Sequence, residues 1–234
     1  MRNNKRIGSQ RMNAEPRSAL LLGASGLIGG HVLRLLVDNG TYDRVTALVR
    51  KPLSVRHPKL ETIVIDFDRL DACNEVVRGD DVFCCLGTTI RAAGSQEAFR
   101  KVDFDYVQNA ASIASSNGSG QFLLVSSLGA NKRSGAFYLR VKGEIEEAVS
   151  HLPFKTVQIF QPSALLGERQ EARVNEKIAG IVLRFISFLL VGRFRRYRAI
   201  EAHTVARAML AAAKQPSPGV MIYESDRIQI LGAA

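Results

Sequence analysis

The chain has 234 residues, of which 46% are hydrophobic and 23% charged, a composition that suits one soluble α/β domain with a complete core. Residues 1–17 contain no apolar stretch and the chain has three cysteines, so we expect no secretory signal peptide, no disulfide framework and a cytoplasmic location. The net charge of +10 is concentrated in residues 1–17 and 193–198, each with an excess of four positive charges, and we expect residues 1–17 to form a disordered basic tail.

The stretch Leu20–Gly30 is an apolar run followed by a glycine-rich turn and the start of a helical pattern. Its glycines Gly23, Gly26 and Gly29 have the spacing G-x-x-G-x-x-G. Glycines at a strand-to-helix turn let the backbone bend tightly and approach a pyrophosphate, and the helix start offers N–H donors and a partial positive charge. The stretch therefore predicts a dinucleotide-phosphate site, with an ordinary tight turn as the alternative.

Strand and helix signals alternate along the following part of the chain. Further strands are predicted at 45–49, 62–65, 81–86, 121–125 and 156–160, with helical segments at about 70–77, 96–115 and 137–150. The strands are apolar without alternation, which indicates a sheet covered on both faces. We therefore expect an α/β fold with a doubly wound parallel sheet, Rossmann-like, in a single domain over residues 18–234.

The pattern changes beyond Pro162, and residues from about 163 on are expected to contribute a small C-terminal substrate lobe. Helices are predicted at Ile178–Val191 and Thr204–Ala213, and a last strand at Val220–Tyr223. The apolar stretch Ile178–Val191 is too short to span a bilayer, so we expect no transmembrane segment. We interpret it as a helix covering a substrate cleft, with an interfacial membrane helix as the alternative.

Two cations, Arg50 and Lys51, follow the second predicted strand. Sites that prefer NAD usually have Asp or Glu at this position, where the carboxylate binds the ribose 2′-hydroxyl. A carboxylate would repel a 2′-phosphate, whereas an arginine matches its geometry. The pair favours NADP(H), and the alternative is a solvated basic strand end.

Serines end the fifth predicted strand, and Tyr138 and Lys142 begin the helix that follows. Positions i and i+4 share a helix face, so the Lys142 ammonium is expected near the Tyr138 phenol. A nearby cation favours tyrosinate and should lower the pKa of the phenol, which makes Tyr138 a candidate proton donor and acceptor. We assign the role of orienting the substrate oxygen to Ser127, with Ser126 as the alternative because the register of the strand end is uncertain by one residue.

The glycine spacing, the strand-end serines and Tyr138-x-x-x-Lys142 together resemble the short-chain dehydrogenase/reductase superfamily. The stretches 126–132 and 138–144 resemble its atypical branch, the one that contains the Tat-interacting protein, and the likeness extends over about Ser18 to Gly232. The resemblance implies an NADP(H)-binding oxidoreductase that transfers hydride to or from a small carbonyl or alcohol.

The resemblance also implies a role for each residue that matches the family's motifs. Catalysis would fall to Ser127, Tyr138 and Lys142, and Tyr138 and Lys142 would also bind the cofactor, with Lys142 holding the ribose hydroxyls. The pyrophosphate would lie on Gly23, Ser25, Gly26, Leu27 and Ile28, and the 2′-phosphate on Arg50 and Lys51. The adenine would contact Asp66 and Phe67, the nicotinamide ribose would pass Leu86, Gly87 and Thr88, and Pro162 and Ser163 would close over the nicotinamide.

Two other function classes stay open beside the oxidoreductase. A non-catalytic, NADPH-sensing regulator or assembly factor would use the same cofactor site and a protein partner instead of a small-molecule substrate. Nucleic-acid binding through the tail and residues 193–198 is the less favoured reading of the charge. We expect a monomer or homodimer. We expect no metal site, because the histidines share no ligand spacing. Cys84 and Cys85 are expected to fill the core and not to act in redox chemistry.

Overall fold

The computed structural model describes residues 17–166 and 196–233. Residues 1–16 of the predicted tail, the predicted helix Ile178–Val191, and Arg193 and Arg195 of the basic cluster lie outside this part of the chain. In the described part, no helix combines the length and apolar character that crossing a bilayer requires.

A parallel sheet of seven strands forms the centre of the molecule. The described part of the chain contains these seven strands and two more outside the sheet. In chain order they are β1 (Arg17–Leu22), β2 (Tyr42–Val49), β3 (Leu60–Val64), β4 (Asp81–Cys84), β5 (Gln121–Val125), β6 (Thr156–Gln161), β7 (Leu165–Leu166), β8 (Ile200–Glu201) and β9 (Gly219–Glu224). The sheet order is β3-β2-β1-β4-β5-β6-β9, with every pair parallel, and β7 and β8 form a separate two-stranded ladder. The predicted doubly wound parallel sheet is confirmed.

Helices cover both faces of this sheet. They are α1 (Leu27–Asp38), α2 (Ile90–Ala93), α3 (Gln96–Arg100), α4 (Tyr106–Ser116), α5 (Phe137–Ser150), α6 (Ala202–Ala213) and α7 (Ser225–Ala233). The short helix expected at 70–77 is a 3₁₀ segment at Phe67–Val76, and a π-helical turn at Lys101–Asp105 joins α3 to α4. The helix predicted at 96–115 is therefore continuous in space but changes its winding in the middle.

The core divides into two apolar clusters, one on each face of the sheet. Alternate side chains of β1 enter different clusters: Leu21 packs with α1 and α6, whereas Leu20 and Leu22 pack with α4 and α5. Because both sets are fully buried, the part of β1 from Ala19 to Leu22 has no polar face, which explains its continuous apolar sequence.

A buried polar network ties the strands together at the amino-terminal edge of the sheet. The Asp81 carboxylate accepts hydrogen bonds from Tyr42 (2.5 Å), Gln121 (2.8 Å) and Arg17, and Gln158 donates to Gln121 (2.5 Å). Burial and the neighbouring carboxylate raise the pKa of the Tyr42 phenol, so it remains a hydrogen-bond donor. Through Arg17, the first residue of β1 belongs to this network.

Removing the carboxylate at the centre of this network should destabilise the fold strongly. We expect Asp81→Ala to lower the free energy of unfolding by about 3–5 kcal/mol, because it leaves the buried Tyr42 hydroxyl without its acceptor and removes the ion-pair partner of Arg17. Asp80 is the matched control, since its exposed carboxylate accepts bonds only from Ser18 among the contacts described. Urea unfolding measures both variants, and an Asp80→Ala effect equal to that of Asp81→Ala would contradict the assignment.

Candidate functional site

All the predicted site residues that follow a strand lie at the carboxyl edge of the sheet, opposite the Asp81 network. Because parallel strands end at the same edge, this is where a doubly wound sheet binds ligands. The residues that follow β1 to β6 at this edge are Gly23 to Ile28, Arg50 and Lys51, Asp66 and Phe67, Leu86 to Thr88, Ser126 and Ser127, and Pro162 and Ser163.

The junction of β1 with the first turn of α1 can form only with glycine at two positions. Gly23 has a φ of 83°, and a Cβ on it would lie 2.5 Å from the carbonyl oxygen of Cys85. A Cβ on Gly29 would collide with the carbonyl oxygen of Gly23, which already accepts the N–H of Gly26 at 2.9 Å. The first turn of α1 is therefore packed directly against the end of β1.

The start of α1 offers uncapped backbone donors to an anion. Gly26 occupies the N-cap without a side-chain hydrogen bond, and the first turn contains no acidic residue. Ser25 and Gly26 are exposed, whereas the side chain of Ile28 is buried in the core. Ile28 can therefore contact a pyrophosphate only through its backbone, and the arrangement is that of an anion-binding helix start.

The predicted 2′-phosphate and adenine residues are arranged around the ends of β2 and β3. Arg50 and Lys51 are both exposed directly after β2. Asp66 is exposed and its carboxylate accepts the Asp68 N–H at 3.0 Å, while Phe67 is buried with its ring centroid 5.5 Å from that of Tyr106. Phe67 can therefore meet an adenine only through its backbone.

A buried carboxylate that the sequence reasoning missed lies under the loop after β4. Asp103, 1% exposed, accepts the Thr88 N–H at 2.8 Å and lies 2.8 Å from the Lys142 Nζ. The backbone of exposed Gly87 lies directly over this pair. A Cβ on Gly87 would lie only 3.3 Å from Asp103 Oδ1 and 3.6 Å from Lys142 Nζ. A signal for it exists in the sequence: Asp103 is four residues from buried Phe99 and from buried Val107, so it lies on an otherwise apolar helical stripe.

Tyr138 and Lys142 are one turn apart near the start of α5, as predicted. The Tyr138 ring is half-buried and packs against Phe99, with centroids 5.4 Å apart. Lys142 is 5% exposed. Burial by itself would lower the pKa of Lys142, but electrostatic interaction with the Asp103 carboxylate and, after it, with Tyr138 outweighs burial and raises it, so the side chain is an ammonium. The predicted effect of this cation on the Tyr138 phenol stays a prediction.

The two strand-end serines differ in their surroundings. Ser126 is buried beside Glu146, whose carboxylate accepts two hydrogen bonds from Gln161 at 2.9 and 3.0 Å, and Ser127 is half-buried. Burial raises the pKa of Glu146, although the neighbouring Ser126, Gln161 and Lys142 oppose the rise. This arrangement favours Ser127 as the serine that a ligand can reach. Glu146 is a second buried carboxylate that sequence reasoning did not single out.

Pro162 and Ser163 connect the end of β6 to its neighbours. The Pro162 carbonyl accepts the Leu128 N–H at 2.9 Å. The Ser163 hydroxyl donates to the Arg198 carbonyl and lies 3.0 Å from the Ser225 hydroxyl. The Ser163 side chain thus holds the C-terminal segments together, and contact of these two residues with a nicotinamide stays a prediction.

The cysteines at the end of β4 are poorly suited to redox or nucleophilic chemistry. Cys84 is fully buried, and burial raises the pKa of its thiol to about 12. Burial also raises the pKa of Cys85 well above its ordinary value. Both thiols are therefore protonated near neutral pH. Within residues 17–166 and 196–233, no three His, Cys, Asp or Glu side chains are grouped so as to hold a metal ion.

Comparison with known proteins agrees with this geometry. A family model described as NAD(P)H-binding matches residues 23–155. The protein HTATIP2 of Rattus norvegicus is 38% identical over 221 residues, covering 92% of this chain and 89% of its own. The protein fmp52 of Aspergillus fumigatus, named as mitochondrial, is 34% identical over 225 residues, covering 92% and 94% of the two chains.

Solved structures share the fold at low sequence identity. MoeE5 in complex with UDP-glucose and NAD superposes with a TM-score of 0.67 at 15% identity, covering 92% of this chain and 81% of its own. The Bordetella bronchiseptica enzyme WbmH in complex with NAD⁺ gives a TM-score of 0.67 at 15% identity, covering 90% and 76% of the two chains. These structures show the shared fold, and the family model and HTATIP2 confirm the predicted resemblance to an NAD(P)H-binding protein of the Tat-interacting branch.

Proposed function

Because the chain belongs to the NAD(P)H-binding family, we propose that it is an NADP(H)-dependent oxidoreductase that moves hydride between the nicotinamide and the carbonyl or alcohol carbon of a small molecule. The observation that carries this proposal is the pairing of Tyr138 with a buried lysine ammonium at the carboxyl edge of the sheet. A phenol beside a fixed cation is suited to proton transfer, and an uncapped helix start on the same edge is suited to a pyrophosphate.

The residues at this edge fit a dinucleotide. The uncapped start of α1 would hold the pyrophosphate on backbone N–H groups, and exposed Arg50 would take a 2′-phosphate. Gly87 lacks the Cβ that would cover the Lys142 ammonium, so ribose hydroxyls can approach this cation through the loop after β4. Each of these features suits one part of an extended, anionic ligand.

In the proposed reaction, bound NADPH supplies the hydride. The Tyr138 phenol donates a proton to the carbonyl oxygen as that oxygen gains negative charge, and it takes the proton back in alcohol oxidation. The Ser127 hydroxyl donates a hydrogen bond to the same oxygen and holds it within reach of Tyr138. The Lys142 ammonium stabilises the tyrosinate that forms, and the buried side of the site keeps this charge away from water.

We propose NADP(H) over NAD(H) because of the two cations that follow β2, and Arg50 tests this choice. We expect Arg50→Ala to reduce the preference for NADPH over NADH by about tenfold or more, because the guanidinium is the planar match for a 2′-phosphate. Arg44→Ala is the matched control, since Arg44 is an exposed arginine near the other end of the same strand. Fluorescence titration of each variant with both nucleotides measures the ratio, and an equal change in both variants would contradict the assignment.

Isotope transfer tests the reaction itself. NADPH carrying deuterium at nicotinamide C4 is incubated with the protein and a panel of small aldehydes and ketones. We expect deuterium on the carbinol carbon of a product, with NADP⁺ formed in equal amount. If NADPH binds but no deuterium is transferred to any member of the panel, the non-catalytic NADPH-sensing regulator or assembly factor replaces the oxidoreductase as the proposed function.

The proposed setting of this activity is the cytoplasm, as the cysteine content suggests. Fungal relatives are named as mitochondrial, so the mitochondrion is the alternative to the cytoplasm. We propose that the protein acts as a monomer or homodimer and that its partner is a small-molecule substrate or a regulatory protein.

A further inference from the structure

Asp103 is a buried acid that the proposed reaction does not use. It lies in the π-helical turn Lys101–Asp105, between α3 and α4. Single π turns inserted in a helix re-aim side chains and occur frequently at functional sites. The Asp103 carboxylate, which is 1% exposed, contacts Lys142 of α5 on one side and the loop after β4 on the other.

We propose that Asp103 is a positioning residue: it holds the Lys142 ammonium and the Thr88 backbone in one arrangement, so that the lysine charge is presented to the cofactor ribose under Gly87. This proposal rests on the proposed function for its ribose ligand. Each Asp103 oxygen has its own partner: Oδ1 lies 2.8 Å from Lys142 Nζ, and Oδ2 accepts the Thr88 N–H at 2.8 Å. One carboxylate therefore fixes the position of the loop backbone at Thr88 relative to the Lys142 ammonium.

The other ionisable groups around Lys142 cannot substitute for Asp103. Cys84 of β4 is a neutral thiol near neutral pH, and Tyr138 on the same helix is the proton donor of the proposed reaction. Glu146, also on α5, interacts with Lys142 electrostatically, but its carboxylate accepts both described hydrogen bonds from Gln161. Asp103 is thus the carboxylate in direct contact with the ammonium, and without it burial would favour the neutral amine.

The experiment compares Asp103→Asn with wild type, and Glu146→Gln serves as the matched control because it also removes one buried carboxylate near Lys142. The first measurement uses the protein without nucleotide: the rate at which a small amine-acylating reagent modifies Lys142 is followed against pH by peptide mass spectrometry. Only the neutral amine reacts, so this rate reports the pKa of Lys142. We expect a higher pKa than for the exposed lysines in wild type, and a clear fall in Asp103→Asn.

The second measurement is the dissociation constant of NADPH between about pH 7 and pH 9.5, a range below the ordinary lysine pKa. We expect Asp103→Asn to bind about tenfold or more weakly, the usual effect of losing a charged hydrogen-bond partner, and to lose further affinity with rising pH. Glu146→Gln should change affinity less and keep the wild-type pH dependence.

The two measurements separate failure of this proposal from failure of the proposed function. If wild type binds no NADP(H), the proposed cofactor site is wrong, and the acylation profile still decides whether Asp103 controls the charge of Lys142. If wild type binds NADPH and Asp103→Asn binds it with the same affinity at every pH, Asp103 has no positioning role. Should Asp103→Asn fail to fold, a wild-type Lys142 that titrates at or below the exposed lysines would overturn the proposal.

Discussion

NADPH binding is expected to be lost in Gly29→Ala and retained in Gly30→Ala, although the two glycines are adjacent. A Cβ at Gly29 collides with the carbonyl oxygen of Gly23, so the first turn of α1 must move away from the end of β1. A Cβ at Gly30 meets nothing closer than the Ala24 carbonyl oxygen at 3.6 Å, an ordinary contact. Inside a helix alanine is favoured over glycine by up to about 1 kcal/mol, so Gly30→Ala should be neutral or stabilising.

Gly26→Ala should lie between these two variants, since its Cβ would approach the Gly23 carbonyl oxygen to 3.2 Å. We expect an NADPH dissociation constant at least about a hundredfold higher in Gly29→Ala, because a displaced helix start no longer directs its N–H groups at the pyrophosphate. Fluorescence titration measures affinity, and thermal unfolding shows which variants are folded. Wild-type affinity in a folded Gly29→Ala would mean that the pyrophosphate does not lie on this turn.

The second large effect is expected at Tyr138. Tyr138→Phe removes only the hydroxyl and keeps the ring that packs against Phe99, so NADPH should bind as in wild type. The turnover number should fall by about 10²–10⁴-fold, which is the usual contribution of a positioned proton donor. Steady-state rates with the substrate found by isotope transfer, together with NADPH titration, measure the two quantities separately.

Tyr42→Phe is the control, because it also removes one tyrosine hydroxyl but at the opposite edge of the sheet. The variant removes the hydrogen bond that the Tyr42 hydroxyl donates to Asp81, so it should lower thermal stability and leave the turnover number close to wild type. The two variants are thus expected to show opposite patterns. Full turnover in Tyr138→Phe would remove Tyr138 from the mechanism.

The parts of the fold and site that could be predicted are those set by local sequence. Apolar strands followed by turns place Gly23, Arg50 and Ser127 at strand ends, and parallel strands bring those ends to one edge. Tyr138 and Lys142 are neighbours because helical spacing requires it. Each of these inferences needs only one segment and the rules for assembling a doubly wound sheet.

The parts that could not be predicted depend on contacts between distant segments. Helical spacing places Asp103 on a buried stripe, but its contact with Lys142 joins two helices that are distant in the chain, and periodicity within one helix does not reveal such a contact. The choice between Ser126 and Ser127 depends on Glu146, a residue of the next helix, being buried beside one of them. Likewise, Arg17 belongs to β1 because Asp81 binds it across the sheet, although by composition it resembles the basic tail.

Titration of the wild-type protein with NADPH and NADH tests the central claim most directly, which is that the carboxyl edge of the sheet is an NADP(H) site. We predict saturable binding of both nucleotides, with NADPH bound more tightly and with both lost in folded Gly29→Ala. If the folded wild-type protein binds neither nucleotide, or binds them equally well with and without an intact Gly23–Gly29 turn, the claim is contradicted.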